Sequence, residues 1–195
     1  MTRPAELHRF GRAERYVHWA AGILVIVCIL TAAVLYNASL AVLVGNRHLV
    51  ELVHVWSGFL LPVPIVLGFV SRGYRLDVRR LGRFVEDDWK WLRNKGRRLA
   101  ATGVGKFNAG QKLNGALSAG SIIVFLITGT VMYFTSWTPL SWRTGATFVH
   151  DWFALAFGIL VVGHIVYALR DPEAMRGMRT GTVTREWADD EHPKW

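Results

Sequence analysis

The sequence predicts an all-α membrane protein, a transmembrane four-helix bundle with both termini cytoplasmic. Three observations carry this. Hydrophobic residues make up 52% of the 195, and nine are tryptophan, a composition that belongs to membrane proteins. Four apolar stretches, Val17 to Asn37, Leu49 to Ser71, Asn114 to Thr135 and Gly145 to Leu169, each reach the roughly 20 residues that a spanning helix needs. The basic residues alternate with the connections: four precede the first stretch, twelve lie between Arg72 and Lys112, five follow the fourth, and only Arg47 and Arg143 occupy the other two connections. By the positive-inside rule the termini and the middle loop are cytoplasmic. The net charge of +9 therefore reports orientation in the membrane, and no nucleic-acid partner is expected. The whole chain, 1–195, reads as one integral-membrane domain, with an amphipathic loop over 72–113 and a polar tail over 170–195.

The first span follows a charged arm (Arg3, Arg9, Arg12, Arg15) without an evident small-residue cleavage site, and reads as retained. Cys28 is the single cysteine, which excludes an internal disulfide and a cysteine-based zinc site. In the second span Pro62 and Pro64 remove backbone donors and predict a kink. From Arg75 to Leu99 the loop places Leu81, Phe84, Val85, Trp91 and Leu92 near one helical face, as in an amphipathic helix lying on the inner surface. A glycine-rich turn, ATGVGKFNAGQKLNG, leads to a third span whose Gly115, Ala116, Ser118, Ala119 and Gly120 suit close helix packing. Trp137 and Trp142 suit the outer interface. The tail from Asp171 to Trp195 reads as weakly structured, and the chain shows no internal repeat or low-complexity tract.

The chemistry rests on histidines inside the spans. His150 and His164 both lie on the fourth, fourteen residues apart, which is about 21 Å of rise and within about 40° of one helical face. His54 is seven residues after Arg47, and His150 is seven after Arg143, so these two share an outer level. His18 is three residues after Arg15, and His164 is six before Arg170, so these two share an inner level. Each level takes one histidine from the fourth helix and one from another. That is the arrangement two bis-histidine haems need, one axial nitrogen from each side of each porphyrin. Four residues after each histidine stands a small one, Gly22, Gly58, Ala154 and Ala168, leaving room for a flat ring. Singly, each histidine has a plainer reading: His18 as an interfacial polar residue, His54 bonded to kinked backbone, His150 with Asp151 in a proton or cation path, His164 bonded to a neighbouring helix. The joint register favours haem. His8, His48 and His192 lie outside the spans and are assigned no ligand role.

Haem-ligating histidines need partners on their other ring nitrogen, for which Glu51, Asp151 and Glu14 are the nearest candidates. The FNAGQK stretch before the third span lies at the inner level, where Asn108 and Gln111 are placed to donate to a quinone carbonyl and Lys112 or water to supply protons. Turn chemistry is the competing reading of the same residues.

With these residues in view, the chain resembles the gamma subunit of membrane-bound formate dehydrogenases, a four-helix di-haem cytochrome b. The resemblance runs through RAERYVHW, VELVHVWSG, GKFNAGQK, VHDWFA and GHIVYAL. It implies two haem b groups, the outer on His54 and His150 and the inner on His18 and His164. It further implies a menaquinone or ubiquinone site beside the inner haem, at Asn108 and Gln111. The implied partners are an iron-sulfur beta subunit at the outer face and a catalytic alpha subunit, in the bacterial inner membrane and in anaerobic respiration. The chain itself would hold no formate-oxidising site. The cytochrome b subunits of nickel-iron hydrogenases share the plan but fit FNAGQK less well. A histidine-based metal-ion or proton transporter is the alternative from another class; it would want a path of intramembrane acids, and the spans hold only Glu51 and Asp151, both near their ends.

Overall fold

The structure, a computed structural model, describes residues 5–94 and 103–195. Arg3, and Lys95 to Leu99, Ala101 and Thr102 of the expected loop helix and glycine-rich turn, lie outside the described residues. The chain is mostly helical, and four helical stretches are long and apolar enough to cross a membrane: Arg12–Tyr36, Arg47–Gly68, Ala109–Tyr133 and Leu140–Leu169. Two compact units form. One comprises Tyr16–Leu67 and Ala119–Val161, the other Met1–Arg15, Gly68–Ser118 and Val162–Trp195.

The first unit holds most of the apolar helix. Helix α1 (Arg12–Tyr36) ends at Asn37, whose side chain caps the short α2 (Ala38–Val44) by accepting from the Leu40 amide at 3.0 Å. Gly45 closes α2 in the left-handed region at φ 72°, a conformation glycine adopts without strain. Asn46 caps α3 (Arg47–Leu60) in the same way, accepting from Leu49. The expected kink follows: Pro62 cannot donate to the Gly58 carbonyl, so the Leu61 amide takes it at 3.2 Å before α4 (Pro62–Gly68) continues. Helices α7 (Ala109–Tyr133) and α8 (Leu140–Leu169) complete the set. Phe59 of α3 meets Tyr133 of α7 with ring centroids 6.0 Å apart, and Phe125 of α7 meets Phe157 of α8 at 5.6 Å. Large apolar side chains such as Ile23, Val66 and Ile159 remain exposed, as lipid-facing residues do.

The second unit corrects two expectations. The amphipathic stretch is two helices, α5 (Arg72–Gly82) and α6 (Glu86–Arg93), because the chain turns at Arg83 to Val85. There the Asp88 carboxylate accepts from the Val85 amide at 2.8 Å and starts a new helix. The buried residue of each helix is an aspartate: Asp77 meets Arg80 and Lys106, and Asp88 receives the Lys112 ammonium at 2.6 Å. Burial pulls the Lys106 ammonium below the ordinary lysine range, and Asp77 offsets this in part.

The tail, expected to be weakly structured, is folded. After α9 (Pro172–Thr180), Gly181 turns the chain at φ 94°, and β2 (Thr182–Thr184) pairs antiparallel with β1 (Glu6–His8) before α10 (Arg185–Glu191). Val183 and Ala188 are buried. Arg9, 2% exposed, lies over the Trp187 ring at 4.5 Å, and its Nη2 donates to His192 Nε2 at 3.1 Å and to the Lys106 carbonyl at 3.2 Å. His192 Nδ1 donates in turn to the Gly105 carbonyl at 2.7 Å. Burial, reinforced by the Arg9 charge, pushes the His192 imidazole down to about 4. The same burial brings Arg9 to about 10, so the guanidinium keeps its charge.

Candidate functional site

His54 of α3 and His150 of α8 come together. Their ring centroids are 6.3 Å apart and their planes 64° to one another. Both are half-buried. Two imidazoles joined by a direct hydrogen bond would have centroids about 5 Å apart, whereas two sharing one metal through bonds of about 2 Å would stand about 6 Å apart. The observed separation exceeds the first and accommodates the second, within the roughly 4.5–7 Å at which rings also pack edge-on.

Each of these rings is held by a threonine from a helix that supplies neither histidine. Thr31 Oγ1 of α1 lies 2.9 Å from His54 Nδ1, and Thr128 Oγ1 of α7 lies 2.8 Å from His150 Nδ1. A hydroxyl has one proton. Thr31 donates its own to the Val27 carbonyl at 2.7 Å and Thr128 to the Val124 carbonyl at 2.7 Å, so each oxygen accepts from the ring. Both imidazoles are thereby assigned the tautomer with hydrogen on Nδ1 and the lone pair on Nε2. Of the acids expected beside this pair, Glu51 and Asp151, Glu51 is exposed. Asp151 is in reach of the Tyr36 hydroxyl. Thr31 and Thr128 escape sequence reasoning because a membrane threonine ordinarily bonds its own helix one turn back; the available signal is a polar residue deep in an apolar run.

A Cβ built on Gly58, four residues after His54, meets no atom within 4 Å, and the same holds at Gly22, four residues after His18. His18 belongs to the first unit and His164 to the second. Each is exposed, and His18 packs edge-on against Trp19 with ring centroids 5.5 Å apart.

Asn108 and Gln111 form a reciprocal capping box at the start of α7. The Gln111 amide donates to Asn108 Oδ1 at 2.9 Å, and the Asn108 amide donates to Gln111 Oε1 at 3.0 Å. This is the turn-chemistry reading. It uses the two side-chain oxygens and leaves both NH2 groups as donors. Lys112 is committed through Nζ to Asp88 and to the Arg83 carbonyl at 3.0 Å.

The sequence model of one family, described as prokaryotic cytochrome b561, matches residues 9–181. The chain belongs to the prokaryotic cytochrome b561 family. The cytochrome is 26% identical over 216 residues to the nitrate-inducible formate dehydrogenase cytochrome b556(Fdn) subunit of Escherichia coli K12, covering all of this chain and 92% of that protein. To the formate dehydrogenase cytochrome b556(fdo) subunit of the same strain it is 24% identical, over 94% of that protein. To the formate dehydrogenase cytochrome b556 subunit of Haemophilus influenzae it is 26% identical, over 84% of that protein. Membership in a cytochrome b family implies haem b.

His54 and His150 fit that group. Among the described residues no three His, Cys, Asp or Glu side chains converge on one point, so the His54–His150 pair offers two donors only. Two donors suit an iron whose other four ligands come with its macrocycle. Their Nε2 lone pairs and the open surface at Gly58 complete the match.

Proposed function

We propose that this cytochrome is the membrane-anchoring di-haem cytochrome b subunit of a formate dehydrogenase complex of the bacterial inner membrane, passing electrons from an iron-sulfur subunit at the outer face to quinone near the cytoplasmic face. The observation that carries the reading is the paired geometry of His54 and His150. Full-length similarity to formate dehydrogenase cytochrome subunits supports the choice of complex, and the distribution of arginines supports a four-helix bundle with cytoplasmic termini.

In this reading His54 and His150 hold the outer haem through Nε2, and His18 and His164, at the inner level set by the Arg15 and Arg170 rulers, hold the second. Bound haem supplies a one-electron carrier at each level. The protein's own work is positional. Helix α8 presents both of its histidines on one face, the glycines at 22 and 58 leave its partner helices flat, and the apolar helices exclude water from the outer pair. At the inner face the NH2 groups of Asn108 and Gln111 donate to a quinone carbonyl while their oxygens cap α7. Formate oxidation falls to the alpha subunit, and electron entry to the beta subunit. Moving an electron inward against a membrane potential costs about 2.3 kcal/mol per 100 mV, so quinone reduction on the cytoplasmic side would store energy from formate.

Haem content of the detergent-purified protein, quantified per chain as the pyridine haemochromogen, tests this. Two b haems are expected in the parent, one in His54→Ala or His150→Ala, and the other one in His18→Ala or His164→Ala. Two haems surviving all four substitutions would overturn the assignment.

A further inference from the structure

We propose that Thr31 and Thr128 are positioning residues that fix the tautomer of the outer histidines and set the reduction potential of the outer haem. The proposal rests on ligation by His54 and His150. Its independent content is the pair of hydroxyls. Two threonines, on two different helices, repeat one geometry: Oγ1 donates to the carbonyl one turn back at 2.7 Å and receives Nδ1–H at 2.9 Å or 2.8 Å. All four apolar helices contribute one polar side chain to this level, Thr31 from α1, His54 from α3, Thr128 from α7 and His150 from α8.

The surroundings hold the geometry firm. One turn before Thr31, the Cys28 thiol lies 3.8 Å from the His54 carbonyl, so α1 touches both the backbone and the ring of that residue. Phe125, one turn before Thr128, lies 5.1 Å from the His150 ring by centroids. A Cβ on Gly129 would sit 3.7 Å from His150 Cε1. The ring is bracketed by one turn of α7.

A hydrogen bond donated by Nδ1 moves electron density toward Nε2 and makes it a stronger donor to the metal. A stronger donor favours the ferric state, so the hydroxyls lower the potential of the outer haem, and removing one raises it. Partners of this kind change metal affinity or activity about 10- to 100-fold. A tenfold change in the ferric-to-ferrous preference is about 59 mV for a one-electron couple.

The test is a redox titration of the purified complex, followed at the haem absorption bands, for Thr31→Val, Thr128→Val, Thr31→Ser and Thr128→Ser. In the valine variants the outer potential should rise by about tenfold in preference, about 59 mV, with the inner potential unmoved, and serine should restore the parent value. If a valine variant loses the outer haem, recovery of haem and potential by serine supports the proposal; loss in the serine variant as well assigns the threonine to packing and overturns it. Unchanged potentials in both valine variants, with two haems retained, also overturn it. Failure of the ligation reading shows separately, as two haems persisting in His54→Ala and His150→Ala.

Discussion

Acidification should loosen the C-terminal segment of this cytochrome through a single residue. His192 sits with Nε2 facing the Arg9 guanidinium and Nδ1 donating to the Gly105 carbonyl. Its imidazole titrates at about 4, while a released, solvated histidine titrates near 6.5. The sign follows from proton counting. Between those values the released segment binds a proton that the packed segment refuses, so packing is complete above about pH 6.5 and is lost as pH falls toward about 4. With these two values the loss is about 2 kcal/mol from about pH 7 to about pH 5, and about 3 kcal/mol by about pH 4. Protonation turns the Nε2 acceptor into a donor aimed at a cation, and Arg9 keeps its charge throughout because it titrates at about 10. Hydrogen exchange of peptides spanning Pro172 to Trp195, corrected for the intrinsic pH dependence of exchange, should show protection falling about twentyfold between about pH 7 and about pH 5. His192→Gln keeps an acceptor without titrating and should remove that dependence. The same fall in protection in parent and variant would refute the reasoning.

Three further outcomes follow from the geometry. Lys112→Met strands the buried Asp88 carboxylate and should cost about 3–5 kcal/mol, seen as a lower melting temperature in detergent; replacing both residues with apolar ones of similar volume should recover most of it. Asn108→Asp preserves the cap of α7 and deletes one NH2 donor, so haem content and melting temperature should hold while the quinone KM rises roughly tenfold, the worth of one hydrogen bond of about 1.4 kcal/mol. Gly58→Leu fills open surface one turn from His54 and should reduce haem content from two per chain to one with the helix content by circular dichroism unchanged; two haems would show that the glycine has no part in the site.

The membrane-spanning part of this molecule was readable in advance because partition into lipid acts on composition, and composition is written locally. Pro62 broke its helix where the missing donor required, and counting from flanking arginines had already set His54 and His150 at one level. The second unit was harder. Its stability comes from pairs such as Arg9 with His192 and Lys112 with Asp88, in which a charged residue is buried because a distant one answers it. No window of sequence shows both members. The tail has few apolar residues, and the strand Thr182–Thr184 means little until Glu6–His8 lies beside it. The break between α5 and α6 was missed for a related reason: periodicity of the apolar face does not show that the Asp88 carboxylate caps a second helix. Thr31 and Thr128 were hidden by their own sufficiency, since each already satisfies its hydroxyl within its helix. Asn108 and Gln111 were noticed, yet the capping box that occupies their oxygens needed the structure.

The antiparallel pairing of β1 with β2 also imposes an order of events. Arg9 leaves the ribosome early, but its partner His192 lies 183 residues further on. At about 5–20 residues per second, the arginine waits roughly ten to forty seconds in solvent while the apolar helices are delivered to the bilayer. Closure of this unit therefore follows delivery of the spans. A nascent chain stalled before Val183 would carry its spans in the membrane with Arg9 and Phe10 uncovered, a difference that a protease could read.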